Sequence, residues 1–115
     1  MVKMTIMILE GPYGQEKPYT ALRFALTALI EGHDVTVILI QDGIFLGKKG
    51  QKPVDYPNTL EYLENAIEEG LNVIACGVCC NARGIKQEDL AKGIKIVGMH
   101  EIVQAVTESN NNLTF

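Results

Sequence analysis

The chain has 115 residues and a formal net charge of −4 at pH 7, with 47% apolar and 21% charged residues. This length predicts a single domain, residues 1–115, and the composition excludes a disordered chain, a collagen or a coiled coil. The longest apolar runs, Met4–Leu9 and Val35–Ile40, are too short to cross a membrane, and the start of the chain does not resemble a secretory signal. We therefore expect a cytoplasmic protein with no membrane partner.

Short apolar runs alternate with amphipathic patterns along the chain. The runs that predict strands are Met4–Leu9, Asp34–Ile40, Leu71–Ala75, Ile94–Val97 and Leu113–Phe115. The segments that predict helices run from Pro18 to Gly32, from Asn58 to Gly70 and from Met99 to Thr107, with Ile85–Ala91 as a short helix or turns. Alternating elements predict an α/β fold with a parallel sheet and helices on both faces, but they do not give the strand order.

Ligands of such sheets bind outside the carboxyl ends of the strands. Three predicted loops leave these ends, namely Gly11–Lys17, the long loop Gln41–Asn58, and Cys76–Gly84. A parallel sheet would place them along one edge. We therefore expect Tyr13, Asp42 and the cysteines of the third loop to lie near one another.

Positive charge is concentrated in two segments, because residues 41–58 and 76–98 carry seven of the ten cations and only four acids. If these segments meet in space, they form an electropositive corner on an acidic protein. The overall negative charge disfavours direct binding of nucleic acid.

Three cysteines, Cys76, Cys79 and Cys80, lie within five residues in a loop bracketed by glycines. Their odd number and close spacing do not resemble a secreted disulfide framework, which favours a chemical site. The nucleophilic form of cysteine is the thiolate, and a helix start at Cys76 together with the cation of Arg83 would lower the pKa of a thiol there. Cys80 is the cysteine that we expect to serve packing alone.

Other chemistries share this spacing. Cys76-x-x-Cys79 is half of a zinc site, but His33 and His100 stand alone, so only a site shared between subunits would be complete. Cys-Gly-x-Cys is also a redox spacing, although a pair that follows the third strand does not fit the thioredoxin arrangement. We expect no metal and no cofactor.

Several motifs resemble those of a known family in the same order. They are Gly11-Pro-Tyr-Gly-Gln-Glu16, Asp42-Gly43, Gly50-Gln-Lys-Pro53, Cys76-Gly-Val-Cys-Cys-Asn-Ala-Arg-Gly84-Ile85 and Leu113-Thr-Phe115. On these residues the chain resembles the DsrE/DsrF-like sulfur-relay proteins, and most closely their small YchN-like branch. The most specific motif is the cysteine that stands eight residues before a glycine preceded by arginine.

The resemblance implies a three-layer α/β/α sandwich of about five mostly parallel strands that assembles into trimers or hexamers. It implies a sulfurtransferase or sulfur carrier that passes sulfane sulfur between donor and acceptor proteins. By position, Cys76 matches the cysteine that carries the persulfide, and Cys79 matches a second cysteine that could resolve it as a disulfide. Arg83 would stabilise the sulfur anions, and substrate would contact the remaining site residues, Tyr13, Asp42 and Gly84.

A second hypothesis is an oligomeric thiol-redox or regulatory binding module without turnover.

Overall fold

In the computed structural model, which describes residues 1–115, five strands form one fully parallel sheet. The strands are β1 (Lys3–Ile8), β2 (Asp34–Leu39), β3 (Asn72–Cys76), β4 (Ile94–Val97) and β5 (Asn111–Thr114). Their order across the sheet is β4-β3-β2-β1-β5. The predicted strands are confirmed, and the last one begins two residues earlier than its apolar pattern indicated.

Four α-helices and two short 3₁₀ helices connect the strands. The α-helices are α1 (Lys17–Ile30), α2 (Thr59–Glu68), α3 (Gly77–Ala82) and α4 (Met99–Thr107), and the 3₁₀ helices span Gln41–Gly47 and Gln87–Asp89. The predicted cap of α2 is present, because the side chain of Asn58 accepts a hydrogen bond from the N–H of Glu61 at 3.1 Å. None of these helices has the length and hydropathy needed to span a membrane.

The two faces of the sheet are covered unequally. One face packs against α1, α2 and the first 3₁₀ helix in a core of 23 buried residues, which includes Ile6 and Val37 of the sheet and Leu63 of α2. The other face is covered by α4, whose Ile102 packs on a smaller cluster that contains Cys76. The arrangement is the predicted three-layer α/β/α sandwich, with the helices held by apolar burial.

The segment predicted as a long loop, Gln41–Asn58, is only partly irregular. Its first seven residues form a 3₁₀ helix in which Gly43, Ile44 and Leu46 are buried. A Cβ atom at Gly43 would collide with the carbonyl group of Ile8, so glycine permits the close approach of this helix to the end of β1. The prediction missed this element because its apolar residues span less than two helical turns.

The two edges of the sheet differ. The side chain of Gln87 covers the outer edge of β4, where its Nε2 donates to the carbonyl of Ile94 at 2.6 Å and its Oε1 accepts from the N–H of Ile96 at 3.2 Å. This amide occupies backbone groups that would otherwise pair with a further strand. At the opposite edge, β5 is exposed along its whole length.

Candidate functional site

Cys76 ends β3 and occupies the N-cap position of α3. Its backbone is extended, with φ −69° and ψ 122°, so the chain passes directly from the sheet into the helix. The residue is only 3% exposed and packs with Ile38, Ile74 and Ile102 between the sheet and α4. The predicted helix start at Cys76 is confirmed, but its side chain is enclosed rather than open to solvent.

Cys79 lies one helical turn beyond Cys76 and packs against the cluster that contains Cys76. Its side chain is half-buried, and its Sγ accepts a hydrogen bond from the backbone N–H of Gln41 at 3.1 Å. Gln41 has a φ of +54°, a left-handed conformation that is uncommon for a residue other than glycine. The strained turn after β2 therefore directs a backbone donor at the sulfur of Cys79.

The thiol of Cys79 is harder to ionise than an ordinary cysteine. Burial raises the pKa of Cys79, the neighbouring Cys76 raises this pKa further, and the hydrogen bond from Gln41 and the charge of Arg83 lower it by less. Burial also raises the pKa of Cys80. The sequence predicted that Arg83 stabilises a thiolate at Cys76. At Cys79 and Cys80, the effect of burial on the pKa outweighs the charge of Arg83.

Arg83 lies beside the cysteines but is held by oxygen atoms. Its Nε donates to Oδ1 of Asp42 at 2.9 Å, and its Nη1 donates to the backbone carbonyl of Cys79 at 3.2 Å. These contacts join the end of α3 to the start of the 3₁₀ helix after β2. Asp42 and Arg83 are thus brought together with Cys79, as the parallel sheet predicted.

Gly84 terminates α3. Its φ is +67°, its N–H bonds to the carbonyl of Asn81, and the next N–H, that of Ile85, bonds to the carbonyl of Cys80. This pair of hydrogen bonds is a Schellman motif, which requires a left-handed residue at this position. Cys80 itself is 1% exposed within the main core, where a packing role is expected.

Tyr13 belongs to a separate network formed with the long loop. Its hydroxyl donates to Oε1 of Gln51 at 2.6 Å and accepts from the N–H of Thr59 at 3.2 Å. Its ring packs edge-on against Tyr56, with centroids 5.9 Å apart. The hydroxyl of Tyr13 therefore fixes the first loop to the loop before α2, and its partners do not include the cysteines.

Sequence reasoning missed the roles of two glutamines. The backbone N–H of Gln41 contacts Cys79, and no side-chain pattern could reveal a contact that depends on a local φ angle. Gln51 donates from Nε2 to three carbonyls of the preceding turn, those of Phe45, Leu46 and Lys48. The only signal for Gln51 was its place in the Gly50-Gln-Lys-Pro53 motif.

The two cation-rich segments meet in space. Lys48 forms an isolated antiparallel bridge with Leu90, and the N–H of Lys49 bonds to the carbonyl of Asp89 at 2.8 Å. Six lysines of these segments have no carboxylate within 4.0 Å, and they are Lys48, Lys49, Lys52, Lys86, Lys92 and Lys95. We call the lysines at the junction of the two segments, Lys48, Lys49 and Lys86, the basic surface.

No three side chains of the ligating types stand close enough together to hold a metal ion. His33 accepts a hydrogen bond at Nδ1 from the N–H of Val2 at 3.1 Å, so it is engaged at the amino-terminal side of the sheet. All three cysteines are free thiols in this structure. Nothing in one protomer therefore completes the half zinc site of Cys76 and Cys79.

The structure is thus a parallel α/β/α sandwich with two packed cysteines at the carboxyl edge of its sheet. The family model of the DsrE/DsrF-like family matches residues 2–115, so the chain belongs to the DsrE/DsrF-like family. The resemblance drawn from the motifs is confirmed.

Similarity to other proteins covers nearly the whole chain. The chain is 55% identical over 112 residues to the uncharacterized protein MK0008 of Methanopyrus kandleri, which covers 97% of this chain and 93% of that protein. The crystal structure of YchN from Escherichia coli matches with a TM-score of 0.94 and 30% identity, with 100% of both chains covered. A protein of Allochromatium vinosum that is provisionally named the sulfurtransferase DsrE is 24% identical over 128 residues, covering 99% of this chain and 98% of that protein.

These matches confirm the predicted fold, and the family in which it occurs points to sulfur relay.

Proposed function

We propose that this protein is a sulfur carrier that holds sulfane sulfur as a persulfide on Cys76 and passes it to an acceptor thiol. The observation that carries the proposal is the packing of two free thiols, Cys76 and Cys79, where β3 enters α3 at the carboxyl edge of the sheet. A relative with a sulfurtransferase name supports the same chemistry.

The enclosed position of Cys76 suits storage of a reactive sulfur. A persulfide on an exposed cysteine is open to attack by any small thiol, whereas Cys76 is 3% exposed and covered by α4 and by Cys79. Loading transfers the outer sulfur of a donor persulfide to a cysteine thiolate and releases the donor as a thiolate. Delivery is the same exchange in the reverse direction, with the acceptor thiolate as nucleophile.

The partners that we propose are a sulfur donor protein and a sulfur acceptor protein, met in the cytoplasm. We propose that at least one of these partners has an acidic face. The lysines of the basic surface favour such a partner, because they have no carboxylate partners within this chain. Transfer from such a partner is expected to slow as salt concentration rises.

We also propose that the chain assembles with itself as a trimer or hexamer. The open edge of β5 and apolar side chains that are about half exposed support this assembly, among them Phe24, Met99 and Val103. Light scattering on the protein as it elutes from a size-exclusion column measures the mass of the assembly directly. A mass of 12.6 kDa at micromolar concentration, which is that of one chain, would contradict the assembly.

A second candidate function is a thiol-redox or regulatory module. It is favoured by the same pair of cysteines, since a residue at the N-cap and one three positions later have the spacing of redox-active disulfides. In that function the pair loses two hydrogens to an oxidant and gains no sulfur.

The test is intact-protein mass spectrometry after incubation with glutathione persulfide, followed by removal of the donor and a brief wash with glutathione. The wild type is expected to retain the mass of one sulfur atom, mapped to the peptide of Cys76, and Cys76→Ser is expected to retain none. Cys80→Ala is the matched control, because Cys80 is buried in the main core and should not affect retention. A wild type that never gains sulfur would refute the proposal.

A further inference from the structure

The two thiols of the site differ in how a donor can reach them. Cys76 is 3% exposed, and Cys79 is half-buried and packs against the cluster around Cys76. Val78, one of the two residues between them on α3, is 76% exposed, so the outer surface of this helix is open. A donor that approaches from solvent therefore meets the sulfur of Cys79 before that of Cys76.

A backbone donor is already aimed at the more accessible sulfur. The N–H of Gln41 lies 3.1 Å from Sγ of Cys79, and no hydrogen bond of this kind reaches Cys76 or Cys80. A donor at this position favours the charged sulfur over the neutral thiol. Such a contact would stabilise this sulfur when it becomes an anion during the reaction.

We propose that Cys79 is the entry nucleophile, which takes sulfur from the donor and then passes it inward to Cys76. This inference rests on the proposed function and assigns the order of the two cysteines within it. The N–H of Gln41 stabilises the anion of Cys79, and the Arg83–Asp42 contact positions that N–H.

The two steps balance as thiol exchanges. The Cys79 thiolate attacks the outer sulfur of the donor persulfide, the donor sulfur–sulfur bond breaks, and the donor leaves as a thiolate while Cys79 becomes a persulfide. The Cys76 thiolate then attacks the outer sulfur of that persulfide, the bond to Cys79 breaks, and Cys79 leaves as a thiolate. Neither step needs an oxidant or a reductant, because sulfane sulfur moves without net redox change.

The test compares donors of two sizes on Cys76→Ser, Cys79→Ser and the wild type. The small donor is inorganic tetrasulfide, and the bulky donor is persulfidated serum albumin. Sulfur uptake is followed by rapid quenching with an alkylating reagent and mass spectrometry of the peptides, before any wash with thiol. Thermal unfolding and far-ultraviolet circular dichroism confirm that each variant is folded.

We expect Cys76→Ser to accept sulfur on Cys79 from both donors at the wild-type rate. Cys79→Ser should load from tetrasulfide but load about tenfold or more slowly from albumin, because the bulky donor cannot align with an enclosed sulfur. The inference is overturned if Cys79→Ser loads from albumin as fast as the wild type, or if folded Cys76→Ser accepts no sulfur. A wild type that accepts sulfur from neither donor refutes the proposed function itself.

Discussion

The guanidinium of Arg83 links the two elements that meet at the cysteine site. Its Nε donates to Oδ1 of Asp42 at 2.9 Å, and its Nη1 donates to the carbonyl of Cys79 at 3.2 Å. Asp42 directly follows Gln41, whose N–H contacts Cys79. Arg83 is therefore bonded on both sides of one hydrogen bond, to the residue that follows the donor Gln41 and to the acceptor residue Cys79.

Replacing Asp42 should impair the site far more than the fold. The Asp42 side chain is 64% exposed, and exposed ion pairs contribute about 0–1 kcal/mol, so we expect Asp42→Ala to leave the free energy of unfolding within about 1 kcal/mol of the wild type. The rate of sulfur loading should fall, because Gln41 is no longer held against Cys79. Urea unfolding and the loading assay measure the two quantities.

Asp55→Ala is the matched control for this variant, since Asp55 is an exposed acid of the same segment without an ion pair. Equal loading rates in the two variants would show that the Asp42–Arg83 contact has no part in positioning.

The reactivity of Cys79 should depend on pH in a way that separates it from an ordinary thiol. Burial raises the pKa of Cys79, so the thiolate fraction grows only at higher pH than in a free cysteine. In Cys76→Ser, the rate of alkylation of Cys79 by iodoacetamide should rise through a midpoint above the ordinary pKa of a cysteine. A midpoint below the ordinary value would mean that Gln41 and Arg83 outweigh burial.

The stability of the fold should decrease as the pH rises, whereas the reactivity of Cys79 increases. A thiol whose pKa is raised in the folded state contributes stability that is fully present below the pKa of the unfolded chain. That stability is lost as the pH rises through the folded value. We therefore expect Cys79 and Cys80, whose pKa values are both raised, to weaken the fold on the alkaline side of the ordinary cysteine pKa.

Gly43 should tolerate no side chain. A Cβ atom there would collide with the backbone carbonyl of Ile8, which cannot rotate away, so we expect Gly43→Ala to lower the free energy of unfolding by about 1–3 kcal/mol. Gly14→Ala is the control, because nothing lies within 4 Å of the added atom and the φ of Gly14 is not in the left-handed region. Similar unfolding midpoints for both variants would contradict the close packing of the 3₁₀ helix on β1.

Tyr13→Phe separates a positioning role in the loop from a role in binding substrate. The variant loses the hydrogen bonds of the hydroxyl with Gln51 and Thr59, which should cost about 1–2 kcal/mol of stability. Tyr62→Phe serves as the control, since the Tyr62 hydroxyl has no partner within the chain and its ring lies in the same aromatic cluster. If Tyr13 contacts substrate, the folded Tyr13→Phe variant should also load sulfur more slowly than Tyr62→Phe.

The sequence predicted the architecture because apolar burial determines it. Runs such as Asp34–Ile40 are continuous and β-branched, and a strand buried on both faces needs that composition. The strand order remained undetermined, since right-handed crossovers are compatible with several arrangements. The side-chain amide of Gln87 on the edge of β4 is equally invisible in sequence, because it depends on tertiary contact.

The meeting of Asp42 and Arg83 with Cys79 could be predicted from the sequence, and the individual contacts among them could not. Parallel strand ends place Asp42, Cys79 and Arg83 together, and topology alone is sufficient to infer that. Burial raises the pKa of Cys79 more than the nearby cation lowers it, and burial is not readable from a glycine-rich motif. The contact of Gln41 required a backbone angle that no residue pattern specifies.

The most direct test of sulfur carriage is whether bound sulfur moves on to a second thiol. Wild-type protein loaded with sulfur and freed of donor is mixed with an acceptor thiol, and the masses of both are followed with time. A carrier predicts that the acceptor gains one sulfur while Cys76 and Cys79 return to free thiols. Release of sulfide with a Cys76–Cys79 disulfide, and an acceptor of unchanged mass, would contradict carriage and leave a redox module in its place.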